Sequence, residues 1–152
     1  KLPEDCKYMI GHNVDFDWKV LGASSGIKRI CTLAMVRMLW PEVEGHGLEA
    51  CIFRIRPFAE ARDLCRDAHS ADADVGLCGM LLEHIIQEYI PGMARLVDLY
   101  DYSEQARVPT HFAFGKFRGK KIEEVDRSYL NWCLKQPDMD EYVKKACKLA
   151  LS

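Results

Sequence analysis

Short apolar runs alternate with longer amphipathic stretches along the chain. Tyr8-Met9-Ile10 is an apolar run ended by Gly11 and Asn13, and it predicts a buried strand. Asp15 to Leu21 predicts a helix closed by Gly22, Ile27 to Thr32 a second short strand, and Leu33 to Trp40 a helix stopped by Pro41. Leu48 to Cys65 carries a helical pattern interrupted at Pro57. Ser70 to Tyr89 is the strongest helical stretch, with Ser70 as its N-cap and Pro91 beyond its end. Gly92 to Gln105 predicts a further helix. His111 to Val125, with two glycines and alternating aromatics, predicts a hairpin, and Arg127 to Lys135 and Asp140 to Leu151 predict two closing helices. Strands alternating with helices early in the chain predict an α/β fold.

The 152 residues suit one domain, or one domain with a small appendage. Hydrophobic residues make up 49% and charged residues 29%, a globular balance that excludes a disordered chain. A formal charge of -2 excludes a uniformly basic nucleic-acid binder. The charge is uneven: residues 1–90 hold 10 Lys+Arg against 14 Asp+Glu, and residues 91–152 hold 11 against 9. Breaks are expected near Ile90-Pro91-Gly92 and at Arg107-Val108-Pro109-Thr110, which gives residues 1–106 and a small basic module over 107–152. Apolar stretches such as Met80 to Leu82 are far too short to cross a bilayer. The seven cysteines are odd in number and form no C-x-x-C pair, which argues against a disulfide framework or structural zinc and for a reducing compartment. The chain opens on Lys1 without a signal-peptide pattern, so a fragment of a longer protein is expected.

Three segments carry candidate chemistry. Gly11 to Asp17 sits where a strand ends and a helix begins, the usual ligand position in α/β sheets. Asp17 shares a helix face with Val20 and Leu21, so it is expected to point inward, where a carboxylate is costly unless paired or bound to a cation. Asp15 can simply favour the helix dipole, and both acids can be read as ordinary N-terminal helix charges. In the second segment, Ala68 to Asp74, Asp74 heads the stripe Leu77, Cys78, Leu81 and Ile85, whereas Asp72 aligns with Gly76, Gly79 and Glu83 on the polar side. His69 just precedes the helix. Two inward acids beside a histidine suit oxygen-ligand metals and a general base, and the plainer alternative is a capping segment with a solvated histidine. In the third, Phe112 to Lys121, three phenylalanines interleave with Lys116, Arg118, Lys120 and Lys121 and no acid. Aromatics can stack on bases while cations follow phosphates, or the lysines can merely blunt an edge strand. On a strand Phe114 and Phe117 would face opposite sides, leaving at most one free to stack. His46 between two glycines is a loop residue, His84 a surface or satisfied polar side chain, and most cysteines are small core hydrophobes.

Together these segments resemble the DEDD 3′→5′ exonucleases. Gly11-His12-Asn13-Val14-Asp15-Phe16-Asp17 is similar to that family's second motif, N-x-x-F-D. His69-Ser70-Ala71-Asp72-Ala73-Asp74 is similar to H-x-A-x-x-D, the third motif of its DEDDh branch. Arg29 to Pro41, Phe114 to Lys120 and Tyr129-Leu130-Asn131-Trp132 resemble exodeoxyribonuclease X-type members, the last two their small C-terminal module, so the likeness runs from about Lys7 to about Leu151. The family's first motif, D-x-E, which supplies two of its four acidic metal ligands, occurs nowhere in the chain. The resemblance therefore implies a truncated ribonuclease H-like exonuclease fold with a small C-terminal α+β module, lacking its first motif.

It also implies a two-metal Mg²⁺ or Mn²⁺ site with Asp17 and Asp74 as ligands and His69 as general base, supported by Asn13 and Phe16 at the substrate groove. Lys116, Arg118, Lys120 and Lys121 would bind DNA, as single strands or 3′ ends. The site is expected to hold metal weakly and turn over poorly, with apolar surface uncovered where strands are missing. The leading expectation is a cytoplasmic metal-dependent 3′→5′ exodeoxyribonuclease. The runner-up is a non-catalytic nucleic-acid-binding or scaffolding protein on the same fold, and the third a plain α/β interaction domain. Asp17, His69 and Asp74 are expected to converge on one cleft.

Overall fold

The structure is a computed structural model that describes residues 3–66, 68 and 70–152. It divides into two compact units, the first extending to Glu104 and the second covering Gln105–Ser152.

The first unit is built on a strand–helix–strand segment. Strands β1 (Tyr8–Gly11) and β2 (Lys28–Cys31) pair in parallel, with Ile10 opposite Ile30 and Gly11 opposite Cys31. Parallel neighbours need a crossover, and helix α1 (Val14–Val20) supplies it, closing at Gly22 with φ +98°, a conformation that glycine adopts without penalty. Helix α2 (Thr32–Leu39) starts directly after β2 and ends before Pro41. The expected interruption at Pro57 splits the next helical stretch into α3 (Leu48–Ile55) and α4 (Phe58–Leu64). Helix α5 (Ala71–Tyr89) begins at Ser70, whose hydroxyl accepts a hydrogen bond from the Ala73 amide at 3.3 Å. Its buried stripe of Leu77, Cys78, Leu81, Leu82 and Ile85 packs against α3 and α2. Helix α6 spans Leu96–Ala106, starting later than its sequence suggests because turns occupy the stretch after Pro91. The result is a mixed helix and strand architecture with a small parallel sheet, compatible with α/β. No helix among the described residues is long and apolar enough to cross a membrane.

Two polar contacts hold this unit together. The Ser103 side chain on α6 is fully buried and its hydroxyl accepts from the Cys31 amide at 2.8 Å, which satisfies a backbone donor at the end of β2. The second is a chain of hydrogen bonds through His12. Its Nε2 lies 2.7 Å from the His46 carbonyl, which can only accept, so Nε2 carries the proton. Nδ1 then accepts from the Thr32 hydroxyl at 3.0 Å, and the Cys78 thiol donates to the same hydroxyl oxygen at 3.7 Å. His46 in turn donates Nε2–H to the Trp40 carbonyl at 2.9 Å. The end of β1, the start of α2, the loop before α3 and the middle of α5 are thereby joined.

The second unit has its own core. Phe112, Ile122, Val125, Leu130, Cys133, Ala146 and Cys147 are buried together, within helices α7 (Arg127–Lys135) and α8 (Glu141–Leu151) and the segment before them. Asp126 and Asp140 cap the two helices by accepting from first-turn amides. Cys133 and Cys147 share a hydrogen bond, and burial pushes the Cys147 thiol up to about 11. The expected hairpin over 111–125 is reduced to a short antiparallel pairing, in which the Phe112 amide donates to the Lys120 carbonyl at 3.0 Å, the Gly119 amide to the Phe112 carbonyl at 2.7 Å and the Ile122 amide to the Thr110 carbonyl at 2.9 Å. A single antiparallel bridge joins His111 to Lys121, turns occupy the segment between, and a 3₁₀ turn follows at Ile122–Glu124. Positive φ at Gly115 (68°) and Gly119 (81°) breaks the extended backbone that a ladder needs.

Removing the Ser103 hydroxyl leaves a buried amide without its acceptor, so Ser103→Ala should cost about 1–3 kcal/mol in a urea unfolding titration. A loss below the error of that titration would mean that the Cys31 amide finds another partner. His12 gives a pH signature. Burial, the dominant cause, lowers its pKa below 6.5 despite the opposing bond to the His46 carbonyl. The unfolded chain therefore takes up this proton at a higher pH than the folded chain. Its contribution is intact above about pH 7 and is lost as pH falls below 6.5 toward the folded value. His12→Gln should reduce the drop in stability between about pH 7.5 and about pH 5.5. An equal drop in both proteins would exclude His12 as its source.

Candidate functional site

The segment Gly11–Asp17 runs from the last residue of β1 into α1. Asn13 precedes the helix in the left-handed region (φ 69°, ψ 43°), which Asn tolerates better than most residues, and its side chain makes no capping bond. Gly11 is tight: a Cβ there would lie 3.3 Å from the Val14 side chain. Val14 is fully buried and anchors the helix start. The two acids of α1 then take different parts. Asp15 forms an ion pair with Arg29 of β2 at 2.5 Å, and the Arg29 guanidinium lies 4.1 Å over the Trp18 ring. This clasp ties α1 to the sheet and gives Asp15 a structural role. Asp17 makes no such clasp with the sheet and stands exposed.

The inward orientation expected for Asp17 is therefore corrected. Val20 and Leu21, its face-mates, are 70% and 41% exposed, and Phe16 is 66% exposed. Two strands are too narrow a sheet to cover this side of α1, so the apolar face stays at the surface. Ile10 of β1 is exposed as well. The expectation for α5 holds better. Asp74 is half-buried at the head of the buried stripe, and Asp72 is exposed on the opposite side.

Cys78 lies one helical turn beyond Asp74 on α5 and contacts the Thr32 hydroxyl. Burial raises its thiol pKa, the Thr32 hydroxyl opposes that rise, and the Cys31 and Asp17 charges add to it. His69, the expected general base, lies outside the described residues, as does Asp67. Among the described residues no group of three or more His, Cys, Asp or Glu side chains could hold a metal ion. Aspartates are hard oxygen donors that suit Mg²⁺ or Mn²⁺. Two aspartates alone carry too little charge for two divalent ions.

His12 and His46 were not foreseen as a pair. They fix the backbone just before Asn13 from a loop 34 residues away in sequence. The only signal was a histidine flanked by Gly45 and Gly47, and a bond to a backbone carbonyl leaves no side-chain pattern.

In the second unit, Lys116, Arg118, Lys120 and Lys121 are all exposed. The Lys116 and Lys120 ammonium groups lie 5.2 and 5.8 Å from the Phe117 ring centroid. Lys121 is partly neutralised by Glu124 at 3.9 Å and Glu123 at 4.0 Å. Phe112 is buried, Phe117 packs half-buried against the core, and Phe114 is exposed. Phe114 lines a shallow groove with Gln136, Pro137, Asp138, Met139 and Asp140.

The chain is similar to the protein named Exodeoxyribonuclease 10 of Escherichia coli K12, with 27% identity over 135 residues that cover 87% of this chain and 59% of the relative. The protein of the same name from Escherichia coli O6:H1 matches equally, at 27% identity over 135 residues. The chain spans a little under two thirds of the length of these relatives. No family model and no solved structure matches it.

Proposed function

We propose that the chain carries the second and third motifs of a metal-dependent 3′→5′ exodeoxyribonuclease of the DEDDh, exodeoxyribonuclease X type, on a ribonuclease H-like exonuclease fold. The observation that carries this reading is the similarity over 135 residues to the proteins named Exodeoxyribonuclease 10, which spans both acid-bearing segments of the chain's first unit. The similarity to exodeoxyribonucleases supports a nuclease with DNA as its substrate.

In this reading Asp17 and Asp74 would hold Mg²⁺ or Mn²⁺. When bound, the ions supply charge stabilisation at the scissile phosphate and activation of water. His69 accepts the proton of the attacking water, for which an imidazole near neutrality suits. Asn13 and Phe16 flank the acids on the substrate side, and the exposed Phe16 ring is available to a sugar or base. DNA would enter as a single strand or a 3′ end. The reading places the protein in a reducing cytoplasm, consistent with seven unpaired cysteines of which five are buried.

A second reading, a nucleic-acid-binding or scaffolding protein without catalysis, is favoured by one observation: the described residues provide no complete metal-binding group. It keeps the cations of the second unit and dispenses with Asp17, His69 and Asp74.

Mn²⁺ titration followed by electron paramagnetic resonance separates the roles. Asp17→Asn and Asp74→Asn should each weaken Mn²⁺ binding. His69→Ala should leave it nearly intact while lowering hydrolysis of 3′-labelled DNA, with protein in excess, by roughly 10²–10⁴-fold. Abolition of Mn²⁺ binding by His69→Ala, with none by Asp74→Asn, would reverse the assignment. No metal-dependent hydrolysis in the unmodified chain, with DNA still bound, would favour the scaffold.

The cations make a separate prediction. Each phosphate contact on a single strand contributes about 0.7 to the slope of log affinity against log salt. Replacing Lys116, Arg118 and Lys120 with Ala should weaken single-strand binding and flatten that slope. Lys121→Ala should change it least, because Glu123 and Glu124 already offset that charge. An unchanged slope in the triple variant would mean that the DNA contacts lie elsewhere.

A further inference from the structure

Trp132 of α7 is half exposed and lies outside the buried core of its unit. Its indole is nonetheless held in place. It stacks on the Tyr129 ring with centroids 5.3 Å apart and planes 27° apart. Tyr129 is itself fixed edge-on against Phe117 at 4.6 Å and against Phe112 at 5.5 Å. Stacking on Tyr129 occupies one face of the indole. A rigid aromatic with one face braced and the rest at the surface needs little ordering to accept a flat partner.

The charge around this aromatic group selects the partner. Phe117, one ring along, carries Lys116 and Lys120 against it. Lys135 is exposed one turn beyond Trp132 on the same helix. Phe114, the other exposed ring of the segment, shares its groove with Asp138 and Asp140, which would repel a phosphate. An aromatic face beside cations is the arrangement by which single-stranded nucleic acid is held without regard to sequence. Phe114 has the exposure for that task but the wrong charge beside it, and Phe117 has the cations but is packed against the core.

We propose that Trp132 is a nucleobase-stacking residue for single-stranded DNA, whose adjoining phosphates are taken by Lys116 and Lys120. This rests on the DNA reading above and adds to it a subsite on α7, outside the segment that carries the candidate cations.

The test uses the full chain, a short fluorescein-labelled oligothymidylate, and an abasic oligomer of equal length and charge, read by fluorescence anisotropy. Unmodified protein should bind oligothymidylate at least about fivefold more tightly than the abasic oligomer, since only the former has a base to stack. Trp132→Ala should lower oligothymidylate affinity by about 5- to 150-fold and leave abasic binding and the salt slope unchanged, because no charge is removed. Trp132→Tyr, which keeps a stacking ring, should retain most of the affinity. Equal binding of both oligomers by the unmodified protein overturns the proposal while leaving the DNA reading standing, and needs no variant to fold. Full oligothymidylate affinity in Trp132→Ala does the same. Failure of the unmodified chain to bind either oligomer overturns both.

Discussion

The first unit depends on keeping His12 neutral. A carbonyl on one side of the ring dictates the tautomer, and the tautomer makes the other ring nitrogen an acceptor. With the His46 carbonyl accepting from Nε2, Nδ1 accepts from the Thr32 hydroxyl, which also lies within reach of the Gly11 carbonyl at 3.4 Å and of the Cys78 thiol at 3.7 Å. One imidazole thus ties together the end of β1, α2, the loop before α3 and α5. A proton on Nδ1 would turn the Thr32 hydroxyl hydrogen away from the ring, toward the Gly11 carbonyl. The nearby Arg37 charge disfavours that proton in addition to burial. The backbone that enters Gly11–Asp17 and the position of the Cys78 thiol are set by this network.

The second unit is held by different means. It has an apolar cluster, two aspartate caps and a pair of thiols that bond to each other. Its aromatics are ordered by edge-to-face contacts that run from buried Phe112 to Phe114, Tyr129 and Phe117, and by the stacking of exposed Trp132 on Tyr129. Tyr129 is the pivot. A Cβ at Gly115 would come within 2.9 Å of its hydroxyl, so the same ring that braces Trp132 also requires a glycine at the turn. Local packing of this kind leaves the neighbouring cations at the surface.

Much of the fold was legible because it follows from local rules. Pro57 had to interrupt its helix for want of an amide hydrogen, and Ser70 caps α5 as its position suggests. The stripe headed by Asp74 is buried because α3 and α2 lie against it. The same periodicity misled at α1, where Val20 and Leu21 mark an apolar face without saying whether anything covers it. The hairpin is cut short for a related reason. Phe112 and Phe114 alternate like strand residues, but positive φ at Gly115 and Gly119 turns the chain before the pairing at His111 and Lys121 can lengthen into a ladder. Of the candidate site, the acids were legible as residue types at a strand-to-helix turn and a helix start. The Thr32–Cys78 contact one turn from Asp74 was not, since it emerges only from packing.

Electrostatics gives the two units complementary parts in the proposed function. A phosphodiester is an anion, and Asp17 and Asp74 repel it until cations offset their charge. The residues that would perform the chemistry therefore cannot be those that first attract the substrate. On a chain with net charge -2, attraction must come from a local basic surface. Residues 91–152 hold the excess of cations, and in the Phe112–Lys121 segment Lys121 has Glu123 and Glu124 within 4.0 Å, while Lys116 acts on the Asp126 carboxylate. A charged surface alone would hold duplex and single strand alike. An aromatic face such as that of Trp132 discriminates, because only an unpaired base exposes its ring to a side chain. A nuclease acting at 3′ ends needs that preference, since it must hold a strand whose terminal bases have left the stack.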